Sequence, residues 1–137
     1  VEVELSYNFE QEAANIEITI ILAKHGYKVR LLIPSDLSRV RTPDAFLVDE
    51  NIRVEFKQNN KPTHSAIENE LRYARTQSAH IVLHVASKLR KGDLINALQS
   101  RVQRTRVIET IWLIWKEKLH RFKRKEILNK EFRNKIE

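Results

Sequence analysis

The segment Asp44-Ala45-Phe46-Leu47-Val48-Asp49-Glu50-Asn51-Ile52-Arg53-Val54-Glu55-Phe56-Lys57-Gln58 constrains the fold more than any other part of the chain. Two runs able to form strands flank the polar residues Asp49-Glu50-Asn51, so the segment predicts a β-hairpin. On its second strand Glu55 and Lys57 are two apart and share one face, while Val54 and Phe56 take the other and point into a core. Pairing parity then decides where Asp44 goes. A turn centred on Asp49-Glu50 or on Glu50-Asn51 places Asp44 on the face of Glu55 and Lys57, whereas a three-residue loop sends it across the sheet. With the even turn, two carboxylates stand beside one ammonium, residue types suited to a metal ion and a phosphate.

The rest of the chain alternates helices and strands. Asn8 with Gln11 marks a helix start, and Phe9, Ala13, Ile16, Ile20 and Ala23 recur at helical spacing until Gly26 ends the run. Residues 27–33 read as a strand and residues 34–41 as a polar loop. A second helix of about 14 residues follows Lys61-Pro62-Thr63, with Ile67, Leu71 and Ala74 on one stripe. Residues 80–86 are apolar enough for a sheet interior, Gly92-Asp93 opens a third helix, and residues 108–115 form a last strand. Trp112 and Trp115, three apart on it, point to opposite faces, which predicts one in the core and one at the surface. A basic, helical tail follows. This order predicts an α/β fold in a single domain spanning 1–137: a mixed central sheet flanked by helices, with its core at about 8–115 and a basic extension at 116–137.

A chain of 137 residues buries a substantial core. It has no run near the ~20 apolar residues that span a bilayer, which argues against membrane insertion, and no cysteine for disulfides or thiolate zinc sites. Two glycines leave no Gly-rich phosphate loop, against an ATPase or dinucleotide enzyme. The five histidines lack metal-ligand spacing, and His84 reads as a polar strand position. The net charge of +7 is uneven: residues 1–87 hold 10 Lys or Arg against 12 Asp or Glu, and residues 88–137 hold 15 against 6. A polyanionic partner accounts for that excess, and so does a solvated basic helix.

Glu17, flanked at helical spacing by Ala13, Ile20 and Ile21, sits at the edge of the first helix's apolar face, where a carboxylate needs a partner or a cation. Glu10 is a weaker candidate on the same side. Taken in order, Glu17, Pro43-Asp44 and Glu55-Phe56-Lys57 resemble the motif of the PD-(D/E)xK nuclease superfamily. The chain is also similar, over about residues 8–115, to the C-terminal tRNase toxin domains of contact-dependent growth inhibition proteins. Leu22-Ala23-Lys24-His25-Gly26-Tyr27, Pro43-Asp44-Ala45-Phe46 and Ala74 with Gln77 and Ala79 carry that likeness.

The resemblance implies a restriction-endonuclease-like core and a metal-dependent nuclease. Asp44, Glu55, the Phe56 carbonyl and Glu17 would hold Mg²⁺ or Mn²⁺, and Lys57 would orient the nucleophile or contact phosphate. Gln77 would help organise the site. The implied target is RNA, tRNA above all, in a bacterial cytoplasm reached as the C-terminal part of an exported protein, with a cognate immunity protein as partner. Thr63 and Ser65 suit phosphate binding at a helix N-terminus or simple N-capping. Arg72, Arg75, Arg101, Arg104, Arg121, Lys123 and Arg124 are candidate phosphate contacts. The motif does not distinguish the sugar, so a DNA endonuclease of the restriction or junction-resolving kind is one alternative. A noncatalytic nucleic-acid-binding domain that keeps the motif as scaffold is another.

Overall fold

The computed structural model describes residues 2–3, 13–32 and 43–136. Seven strands form one sheet whose spatial order follows the chain: β1 (Glu2–Val3), β2 (Val29–Leu31), β3 (Ala45–Leu47), β4 (Ile52–Asn59), β5 (His80–Val85), β6 (Thr110–Trp115) and β7 (Lys118–Lys123). The sheet is mixed, as expected: β1 is parallel to β2, β2 to β4 run antiparallel, β4 to β6 are parallel, and β7 returns antiparallel. Parallel neighbours need long crossovers, and α2 (His64–Ala74) and α3 (Lys91–Arg104) supply them. Helix α1 (Ala13–Lys24) precedes β2, and α4 (Arg124–Ile127) and a 3-10 turn (Phe132–Lys135) follow β7.

Two cores cover the two faces. On one, Ile67, Leu71 and Ala74 of α2 and Leu94, Leu98 and Val102 of α3 pack on Ile81, Leu83, Ile111 and Leu113. On the other, Ile18 and Leu22 of α1 pack on Val29, Leu31, Ala45, Leu47, Val54, Phe56, Val82 and Trp112. Burying each large side chain contributes ~1.5–3 kcal/mol, so these stripes fix which face each strand residue takes.

The hairpin follows the even-turn expectation. Ala45 pairs with Val54, Phe46 with Arg53 and Leu47 with Ile52, and the Asn51 N–H donates to the Val48 carbonyl around Asp49-Glu50. Asn51 takes φ 58°, a left-handed conformation that asparagine tolerates. Strand β4 belongs to two half-sheets. Up to Val54 it pairs with β3, and from Glu55 onward with β5. The sheet therefore forks at Glu55.

Four expectations are corrected. The stripe assigned to the first helix is turned: Ile18, Thr19 and Leu22 are buried, while Ala13 and Ile20 are exposed. Ile16, Ile18, Ile20, Ile21 and Leu22 point in nearly every direction, so apolar spacing could not select a face. Both tryptophans are buried, because β6 is interior to the sheet with a core on each side: Trp112 lies in the α1 layer and Trp115 in the α2–α3 layer. Residues 108–115 do not hold the last strand, and the basic tail is not a helix. It turns through Lys116 and Glu117, both at positive φ, into β7. Beyond β7, Ile127, Phe132 and Ile136 complete the α2–α3 core. The start of the first helix at Asn8, with Phe9, Glu10 and Gln11, and the loop at 34–41 lie outside the described residues.

Candidate active site

Asp44, Glu55 and Lys57 meet at the fork. Asp44 follows the buried Pro43 and directly precedes β3, so the register carries it next to Glu55. One of its carboxylate oxygens accepts the Phe56 N–H at 2.8 Å, the group left without a β3 partner where the strands part, and the other accepts from Asn15 Nδ2 of α1 at 3.0 Å. The Phe56 carbonyl leaves β4 on the same edge as its N–H, since a strand residue exposes both to one neighbour.

Glu55 and Lys57 sit beside Ile81 and Leu83, on the α2–α3 face. Glu55 is only 7% exposed, and its Oε1 is buried without a hydrogen-bond partner. Lys57 Nζ lies 3.9 Å from the other oxygen. Burial pushes the Glu55 carboxyl up to about 9; the charge of Asp44 and a hydrogen bond with its side chain push the same way, while Lys57 and an Asp44 backbone hydrogen bond oppose them. At neutral pH Glu55 is thus a carboxylic acid held ready to ionise when positive charge arrives.

The sequence reading missed Glu70. It projects from α2 toward the same face, where Asn59, fully buried, donates to its Oε1 at 3.1 Å while its Oε2 is buried without a partner. Burial raises its pKa, and the Asn59 hydrogen bond and the Lys57 charge hold it back. The Lys57 charge thus acts on both carboxyl groups, with only Glu55 at 3.9 Å. The signal was available: Glu70 lies three residues after Ile67 and next to Leu71, on the flank of the buried stripe.

Glu17 is placed elsewhere. Its Oε2 accepts from Gln58 Nε2 at 2.9 Å, and the same nitrogen lies 3.1 Å from His84 Nδ1. Gln58 and His84 are paired neighbours on the α1 face, opposite Lys57. Glu17 and His84 line a groove of about 570 Å³ at the C-terminal ends of β5 and β6. Among the described residues no three His, Cys, Asp or Glu side chains are grouped to hold a metal. Asp44, Glu55, the Phe56 carbonyl and Lys57 are the candidates that the structure brings together, and Glu17 is not among them.

The supporting candidates divide. Thr63 caps α2, its hydroxyl accepting the Ala66 N–H at 3.1 Å, with Ser65 beside it. Gln77 falls past the end of α2, its N–H on the Ala74 carbonyl, rather than on the helix as expected. Arg72, Arg75, Arg101 and Arg104 gather where the C-terminal ends of α2 and α3 meet. Glu68 pairs there with Arg101 at 3.6 Å and with Arg104. Partial burial, then the like charges of Arg104, Arg72 and Arg75, lower the Arg101 pKa against the pull of Glu68. Arg121 lies over the Trp112 ring, 5.0 Å from its centroid, and Lys123 is exposed at the start of α4.

Arg124 does different work from the phosphate contact expected of it. Its guanidinium donates to the Thr105 carbonyl at 2.7 Å and to the Ile108 and Gln103 carbonyls at 3.4 Å, closing the C-terminal end of α3. Arg124→Ala is expected to lower stability by about 1–3 kcal/mol, measured by urea unfolding, with nucleic-acid affinity unchanged. Weaker binding at unchanged stability would return Arg124 to the phosphate contacts.

No model of a known protein family matches the chain, and no curated protein sequence matches it. Among solved structures, one chain of the CdiA-CT/CdiI toxin and immunity complex from Burkholderia pseudomallei superposes with a TM-score of 0.55. The match covers 90% of this chain and 94% of that one at 16% sequence identity. At that identity the likeness is one of fold.

Proposed function

We propose that this domain is a metal-dependent nuclease that cleaves RNA, with tRNA as its target, and serves as the toxin end of a contact-dependent growth inhibition system. The observation that carries the chemistry is the meeting of Asp44, Glu55 and Lys57 at the fork, with Glu55 Oε1 buried and unpartnered. Two carboxylates and a carbonyl are the partial oxygen set that suits Mg²⁺ or Mn²⁺, which keep several waters and take few protein ligands. Asp44, Glu55 and the Phe56 carbonyl would hold such an ion, which would supply positive charge and a more acidic bound water. Glu55 would be its ligand in the ionised form, and Asp44 is kept in line by Phe56 and Asn15. Lys57 donates to a phosphate oxygen where negative charge grows, its ammonium lying 3.9 Å from Glu55.

The choice of tRNA rests on the sequence resemblance alone; the toxin role rests on it too, and the fold shared with one chain of a toxin and immunity complex supports that role. The arginines around Glu68 offer phosphate contacts away from the cleft. An acidic immunity protein is the partner that such a basic chain calls for. Among the described residues no helix is long and apolar enough to cross a membrane, so another part of a longer protein would carry the domain into a target cytoplasm. Incubating the pure domain with total tRNA and with plasmid, each with Mg²⁺ or chelator, tests the reading. tRNA is expected to be cut only with Mg²⁺. Rapid plasmid cleavage with tRNA left whole favours the DNA endonuclease, and no cleavage of either favours the noncatalytic binder.

A further inference from the structure

Tyr73 is the one exposed aromatic side chain among the described residues, 59% accessible, in a molecule whose other large rings are mostly buried. It stands on the outer edge of α2 one turn after Glu70, and with Lys61, Thr63, Ser65, Asn69 and Glu70 it lines a groove of about 310 Å³. Its ring is not loose. The Arg72 guanidinium lies over it, 5.0 Å from the centroid, and Arg72 Nη2 donates to the hydroxyl at 3.1 Å. The groove adjoins the face of the candidate site, because Glu70 lines it and accepts a hydrogen bond at 3.1 Å from Asn59, which lies two residues after Lys57 on the same face of β4.

Exposing a tyrosine costs apolar burial, and pairing it with an arginine makes a flat, cationic platform. Polynucleotide strands are held by such platforms, since every base has a π-face and every linkage a negative charge. Amide and hydroxyl groups on the groove wall, from Asn69 and Ser65, suit the hydrogen-bonding edge of a base splayed out of its stack.

We propose that the Tyr73–Arg72 platform is a nucleotide subsite: an unpaired base of the substrate strand stacks on Tyr73 beside the phosphate that Lys57 contacts. The proposal rests on the nuclease reading and names the substrate form, an unpaired stretch rather than a continuous duplex.

The test is binding of a fluorescently labelled single-stranded RNA hexanucleotide to the Lys57→Ala protein, which holds the strand without cutting it, measured by anisotropy with Tyr73 intact or replaced by Phe, Trp or Leu. Phe and Trp are expected to bind within about two- to three-fold of Tyr, and Leu to bind about 5- to 100-fold more weakly. The same strand annealed to its complement is expected to bind less tightly and to be indifferent to the Leu change. Equal affinity for Tyr73 and Tyr73→Leu, with unfolding temperatures alike, overturns the platform even where the unaltered domain cleaves RNA. Stacking that persists in a domain that cleaves nothing upholds the platform and overturns the nuclease reading instead.

Discussion

Cleavage by the Lys57→Ala protein falls by about 10²- to 10³-fold, while its unfolding temperature stays close to that of the unaltered domain. The two halves of that result have separate causes. Lys57 is partly exposed and its contact with Glu55 is a long one at 3.9 Å, the kind that adds little to stability. Its removal takes a positive charge away from Glu55 and Glu70, but both are already pushed toward their neutral forms, so no buried charge is stranded. In the proposed reaction the ammonium would matter only once a phosphate is bound and charge builds on its oxygens. Steady-state cleavage of tRNA, with expression in bacteria as a second readout, gives the measurement: the unaltered domain stops growth and Lys57→Ala relieves the arrest. A variant that keeps more than a tenth of the rate takes Lys57 out of the chemistry.

Glu55→Gln likewise removes activity, yet it is expected to stabilise the metal-free domain, and more so as pH rises. Glu55 holds its proton in the folded state up to about 9, against an ordinary value of 4.5. Between those values the native state binds a proton that the unfolded chain has released, so stability from this group is complete below about 4.5 and drains away as pH climbs toward 9. Glutamine keeps the neutral shape and titrates nowhere. Each unit of displaced pKa corresponds to about 1.4 kcal/mol, or roughly 3–6 °C in Tm for a chain of this size. Thermal unfolding from pH 5 to 8.5 in chelator should show the two proteins converging at the acid end and parting at the alkaline end. Mg²⁺ should raise the Tm of the unaltered protein alone. Parallel curves, and no response to Mg²⁺, would remove both the buried acid and the metal from the site.

What could be read from the residues follows how strongly each pattern excludes its alternatives. Val54-Glu55-Phe56-Lys57 has a single reading as a strand, and the turn at Asp49-Glu50 allowed few registers, so the meeting of Asp44 with Glu55 was legible in advance. Ile67, Leu71 and Ala74 likewise fixed the buried side of α2. Helix α1 gave no such guidance because aliphatic residues surround it, and Glu17 was placed beside the wrong strand positions as a consequence. Strand β7 hid for the opposite reason. Lys118-Leu119-His120-Arg121-Phe122-Lys123 is an edge strand, mostly solvated, with only Phe122 deeply buried, and its turn uses Lys116 and Glu117 in place of the Gly or Asn that marks such bends. The two-residue pairing of β1 is too short for any periodicity to reveal.

The fork at Glu55 divides custody of the groups proposed to react. Glu55 and Lys57 lie where β4 pairs with β5, on the face covered by α2 and α3, whereas Asp44 is carried on the end of β3, which grips β4 through only three residue pairs. An immunity protein for the proposed toxin would therefore have a choice of leverage. It need not plug the cleft or outcompete a polyanion for the arginines; wedging β3 away from β4 by a single pair would withdraw one carboxylate and leave the other two residues standing idle in an otherwise intact fold.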